Sequence, residues 1–133
     1  MFDFERLKVF NKAVDLSTTL GQLVEARDFD QSVCSQIVRA SNQIVVEIAH
    51  GAARINVWEK KKRFANARSN VHECAAVLIL LHRDKQLPQE EYDNLYHELT
   101  SLSIMLYKLV QNTTPKDNAA PVANNLDAET VAT

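Results

Sequence analysis

The sequence predicts an all-α fold, an up-down-up-down antiparallel four-helix bundle, and three observations carry that prediction. Phe64, Ala67, Val71, Cys74, Leu78 and Leu81 recur at alternating steps of three and four residues. Tyr92, Leu95, Leu99, Leu102, Leu106 and Leu109 keep the same rhythm beyond one short break. Each stripe puts a narrow apolar seam on one side of a helix, as helices of an antiparallel bundle require. Finally, two Gly and three Pro in 133 residues leave little room for turns, which argues against a sandwich or barrel of short strands.

The first helix is expected from about Phe4 to Ala26, with Leu7, Phe10, Val14, Leu20 and Leu23 as its stripe and Ser17 filling the gap. Arg27-Asp28-Phe29-Asp30 breaks the pattern. Asp30 suits an N-cap, where a carboxylate accepts from free amides of the next helix. The second helix is expected from Gln31 to His50 on Val33, Ile37, Ala40, Ile44 and Ile48, widened by Val38 and Val45. Gly51 then suits a left-handed C′ position. Asn56, with Glu59 three residues later, resembles a capping box at the start of a third helix running to about Asp84. Pro88 suits the first position of the fourth helix, which continues to about Asn112.

Residues 1–112 thus form one bundle domain. From Thr113 the chain carries two Pro, no aromatic residue and no sustained period, so residues 113–133 are expected to be a disordered tail. Lys116 stands there against Asp117, Asp127 and Glu129. The formal net charge of the whole chain is −2, so the bundle itself is balanced.

The longest apolar run, Cys74–Leu81, falls far short of the ~20 residues that span a bilayer. The opening MFDFERLKVF has early acids and no apolar core of a signal peptide. A cytoplasmic protein with no membrane partner is expected. Cys34 and Cys74, among apolar residues and outside any CxxC pair, read as reduced thiols acting as small hydrophobes.

Three features are candidates for function. Arg54, Lys60, Lys61, Lys62, Arg63 and Arg68 face a single acid, Glu59, over fifteen residues. That is a patch able to contact phosphate, with Trp58 beside it to stack on a base. The bland reading is a solvated helix start with Glu59 and Arg63 paired one turn apart. Secondly, Glu47 and His50 form half of a carboxylate–histidine metal motif. The other half is missing, because Asn94 precedes His97. An interhelix polar cluster of Glu47, His50, Arg54 and Glu73 is the plainer reading. Thirdly, Val9, Val38, Val45, Val46, Ile79, Ile104, Met105 and Val110 lie beside the main seams. They exceed the three apolar positions per heptad of a lone bundle, so some are expected to face a neighbour. Arg39 and Arg68 would add interface hydrogen bonds. His72, His82 and His97 share no ligand spacing, no catalytic triad assembles and no Gly-rich phosphate loop occurs. No enzyme, cofactor or metal is expected.

Ile48-Ala49-His50-Gly51, then Arg54, then Ala67-Arg68-Ser69 leading into Glu73, resemble the signature of the bundle proteins named after the 23S ribosomal RNA intervening sequence. Phe4–Phe10 and Leu87–Tyr92 resemble that family's starts of helices one and four, and the likeness spans about residues 4 to 110. The resemblance implies a small bacterial helical bundle, pentameric and ring-like in some members, whose activity is mostly undefined. A related branch serves diversity-generating retroelements, where a basic pentamer binds nucleic acid and a reverse transcriptase. This chain departs from the pattern at His50, where the family has Glu, at Glu47, where a small polar residue is common, and at Lys60 and Arg63, where aromatics are frequent.

Together these readings lead to a non-enzymatic homo-oligomer, a homopentamer by resemblance. It would bind or scaffold RNA, DNA or a nucleic-acid-processing protein through Arg54, Trp58, Lys60, Lys61, Lys62, Arg63 and Arg68. A protein-interaction scaffold is the alternative. A metal-binding bundle built on Glu47, His50 and Glu73 ranks below both.

Overall fold

The structure is a computed structural model that describes residues 1–114. The expected tail lies outside the described residues beyond Thr114. A short 3-10 turn, Asp3–Arg6, precedes four helices: α1 (Lys8–Ala26), α2 (Gln31–Ala53), α3 (Val57–Arg83) and α4 (Gln89–Asn112). No strand occurs among the described residues. The short connections reverse the chain each time, and consecutive helices pack along their lengths. Lys12 on α1 meets Glu98 on α4 at 2.7 Å, and Arg27 at the end of α1 pairs with Glu91 at the start of α4. These contacts close the up-down-up-down ring.

The two seams that announced the fold line its centre. Phe64, Ala67, Val71, Cys74, Leu78 and Leu81 are all buried, as are Leu95, Leu99, Leu102 and Leu106. At the end of α4, Val110 replaces Leu109 as the buried residue. Those side chains face Ile37, Ala40, Ile44 and Ile48 from α2 and Leu16 and Leu20 from α1.

Helix α1 corrects the sequence reading. Its buried residues are Val9, Ala13, Leu16, Leu20 and Leu23, and Val14 is exposed. The true stripe steps four, three, four and three without a gap, whereas the expected one needed Ser17 to fill it. Ser17 instead donates to Asn42 Oδ1 on α2 at 2.8 Å.

The helix ends show further differences. Asp30 is the N-cap of α2, but its carboxylate accepts from the Ser32 hydroxyl and not from the helix amides. Asn56 caps α3 as expected, accepting from the amides of Trp58 and Glu59. Pro88 is the N-cap of α4, one position before the first helical residue. Its carbonyl accepts from the Tyr92 amide at 3.0 Å. The left-handed residue sits after α3, at Lys85 with φ 60. There the Gln86 amide returns to the Leu81 carbonyl and the Lys85 amide to the His82 carbonyl, the paired bonds of a Schellman ending.

Gly51 is not a C′ residue. Helix α2 runs through it to Ala53, and no glycine among the described residues has a positive φ. The position is small for a packing reason. A Cβ on Gly51 would lie 2.5 Å from Phe64 Cε1 and 2.7 Å from Cδ1. Gly51→Ala should therefore lower stability by about 1–3 kcal/mol, because a buried aromatic ring on the facing helix cannot swing aside cheaply. Urea unfolding checks this; an unchanged or higher midpoint would mean that the contact is not tight.

Candidate nucleic-acid interface

The α2–α3 connection brings the basic segment to one end of the bundle. Gly51 lets the two helices approach, and Asn56 starts α3 on the next turn of chain. From there α3 points successive side chains around its axis, so the six expected phosphate ligands separate into two groups.

One group is occupied inside the molecule. Lys60 lies one turn before Phe64, on the backward extension of the core seam. Its ammonium donates to the carbonyls of Gly51 at 3.1 Å and Ala52 at 3.3 Å, capping the end of α2. Partial burial lowers its pKa from the ordinary lysine value. Arg63 donates to Glu47 Oε1 at 3.1 Å, and not to Glu59 as the local pairing rule suggested. Arg68 donates to the Ser103 carbonyl at 3.3 Å, with its guanidinium 5.3 Å from the Tyr107 ring.

The other group faces solvent. Arg54 and Lys62 are exposed, and Lys61 lies 5.4 Å over the Trp58 ring. None of the three pairs with a carboxylate among the described residues. Trp58 is half-buried, with its indole Nε1 enclosed and unpartnered. Ile55 at the tip is 97% exposed, a residue that composition alone did not single out.

The expected polar cluster divides as well. Glu47 is buried, between Arg63 and His50 Nδ1, the latter at 3.7 Å. Its second oxygen has no partner. Glu73 is elsewhere along the bundle, joined to Arg39 and accepting from Gln36 at 3.4 Å. Glu47, His50 and Glu73 thus do not converge. Among the described residues no three His, Cys, Asp or Glu side chains are placed to share a metal ion. Arg39 and Arg68, expected at an interface, are engaged within the chain.

Other polar groups are structural. His72 Nε2 is 3.2 Å from Ser103 Oγ, and burial, aided by nearby Arg68, lowers its pKa. His82 stacks on Tyr92 at 3.9 Å between centroids. Burial, aided by Glu73, pushes the Cys74 thiol up to about 12, so it stays protonated and unreactive at neutral pH. Cys34 and Cys74 are both free thiols.

The charge pattern is polar from end to end. At the α2–α3 end, Arg54, Lys60, Lys61, Lys62 and Arg63, with Arg6 and Lys8 from the chain start and Lys108 from the end of α4, outnumber Asp3, Glu5, Glu47 and Glu59. At the opposite end, where α1 meets α2 and α3 meets α4, Asp28, Asp30, Asp84, Glu90, Glu91 and Asp93 outnumber Arg27, Arg83 and Lys85.

Two predictions test these assignments. Arg63→Met should cost about 1–3 kcal/mol by leaving the Glu47 carboxylate buried without its cation, and Glu47→Gln in the same chain should restore part of that loss. Additive losses in urea unfolding would contradict the pairing. For Cys74, the folded pKa lies above the ordinary thiol value. Its contribution to stability is therefore full below pH 9.0 and lost as pH rises toward 12. Cys74→Ala should flatten that alkaline decline, and at pH 8 a thiol reagent should label Cys34 well before Cys74.

Against known proteins, residues 5–108 match the 23S rRNA-intervening sequence protein family. A similar solved structure is a protein of unknown function from the S23 ribosomal protein family of Bacteroides thetaiotaomicron. It has a TM-score of 0.71 and 18% identity, with 78% of this chain and 99% of that chain covered. At that identity the likeness speaks to the fold alone. No curated protein matches. The chain belongs to the 23S rRNA-intervening sequence protein family.

Proposed function

We propose that this member of the family is a non-enzymatic homo-oligomer that binds nucleic-acid phosphate through the α2–α3 end of each bundle. The observation that carries the reading is the set Arg54, Lys61 and Lys62, three cations without a carboxylate partner among the described residues. They stand at the end of the molecule opposite its acidic connections. A backbone carrying one charge per ~1.7 Å of duplex rewards such a cluster by counterion release. Repetition of the patch in an oligomer multiplies the effect by raising the local concentration of the remaining sites.

The chemistry is positioning without base readout. Arg54 and Lys62 extend into solvent as phosphate donors. The Lys61 ammonium lies over the Trp58 ring, a cation–π contact that limits how far the side chain must be ordered on binding. Lys60 and Arg63 support the corner and Arg68 ties α3 to α4, so none of the three is a ligand in this reading. Trp58 stands half-buried beside the patch, with its indole Nε1 enclosed.

Fluorescence anisotropy with a structured RNA and a duplex DNA, at low and physiological salt, tests the proposal. Binding should weaken steeply with salt. The Arg54→Ala/Lys61→Ala/Lys62→Ala variant should bind at least about tenfold more weakly at physiological salt, with a salt slope shallower by about three if each side chain meets one phosphate. Equal binding by the variant, or none by the native protein at low salt, would retire the phosphate reading in favour of a protein-interaction scaffold.

A further inference from the structure

An aromatic ladder climbs out of the core beside the turn that precedes α1. Phe10, packed against the core, supports Phe4 at 4.8 Å between centroids, the rings tilted by 59°. Phe4 supports Phe2 at 5.4 Å, with the planes 9° from parallel. There the ladder stops. Phe2 is 71% exposed although Phe4 covers one of its faces, so its outer face is open to solvent.

The backbone beneath this ring is fixed. The Phe2 amide donates to Glu5 Oε2 at 2.7 Å, and the Glu5 amide donates to the Phe2 carbonyl at 3.1 Å. Asn11 Nδ2 donates to the carbonyls of Glu5 at 2.9 Å and Leu7 at 3.1 Å, tying the turn to α1. A ring ordered before its ligand arrives loses less entropy on binding.

The ladder stands at the basic end of the bundle. Helices α1 and α2 run antiparallel, with Ser17 beside Asn42. Asp3–Arg6 therefore lies level with the α2–α3 connection, and it packs on α2. Arg54 and Ile55, both exposed, are at that level. Lys61 and Lys62 follow across the same end, on the second turn of α3. The charges nearest the ring balance, Asp3 and Glu5 against Arg6 and Lys8. The excess positive charge comes from Arg54, Lys61 and Lys62, which have no carboxylate partner among the described residues.

An open ring face fits another flat π-surface, and the cations beside it fit phosphate. In a duplex each base is covered by its neighbours, so only an unpaired base can reach the ring. We propose that Phe2 stacks an unpaired base of a strand whose phosphates lie on Arg54, Lys61 and Lys62, so that this end takes single-stranded or looped nucleic acid in preference to duplex. The stack reads no sequence, since every base has a π-face. The inference rests on the phosphate reading and names the substrate class of that site.

The test is fluorescence anisotropy of the full chain at low salt, with labelled oligo-dT and oligo-U strands of about twelve nucleotides and a duplex of equal length. The native protein should prefer the single strands. Phe2→Ala should bind them at least about fivefold more weakly and bind the duplex as before, with an unchanged melting temperature. Phe2→Leu, which keeps apolar bulk without a π-face, should be as weak as Phe2→Ala. Phe2→Trp should restore binding, and single strands should quench its fluorescence well beyond the quenching of native Trp58. Single-strand binding that withstands Phe2→Ala overturns the inference and leaves the phosphate reading standing. Full rescue by Phe2→Leu also overturns it, since that marks an apolar contact of the kind a lipid or protein surface makes. Equal losses on strand and duplex overturn it as well. No binding by the native protein to any of the three probes removes both readings together.

Discussion

The ring of Phe64 occupies the space where any other residue at position 51 would carry its Cβ, and the α2–α3 corner is arranged around that contact. Close approach lets α2 run on to Ala53. It also places the terminal carbonyls of α2 within reach of Lys60, whose ammonium lies 6.0 Å from the Phe64 ring. One turn earlier on α2, Glu47 receives Arg63. Two of the four consecutive cations Lys60–Arg63 are thereby consumed in holding the corner, and the other two are turned outward. The steric demand at one glycine thus decides which charges the protein can offer to a partner.

Most of the fold was legible because its seams are simple. The stripes of α3 and α4 keep the heptad rhythm with almost no interruption, and bundle helices need little else. The errors fall where a local pattern had two physical readings. On α1, an apolar set with one gap competed with an unbroken set that included two short side chains, Val9 and Ala13, and burial followed the unbroken one. Gly51 had both a backbone reading and a packing reading, and the packing reading won because its partner, Phe64, lies on another helix. Lys85 took the left-handed turn after α3 without any glycine to announce it.

The site was legible as a segment but not as a set of roles. Sequence spacing showed that the basic residues surround α3. It did not show that Lys60 would reach back to α2 or that Arg63 would find Glu47, since both partners lie on a helix whose end was placed three residues too early. Glu47 and Glu73 were grouped by residue type, yet they serve separate ion pairs with Arg63 and Arg39. Charge balance over the whole chain, −2, concealed an unequal distribution between the two ends that only the alternating direction of the helices brings out.

Lys60, Lys61 and Lys62 divide their labour, the first holding the end of α2 and its neighbours left without a carboxylate partner among the described residues. This division is tested most directly by comparing Lys60→Met with Lys62→Met in two readouts, melting temperature and affinity for a short duplex at low salt. Lys60→Met should lower the melting temperature by a few degrees while leaving affinity nearly unchanged, and Lys62→Met should do the reverse. If the two variants behave alike in both readouts, the corner does not sort its charges as described here.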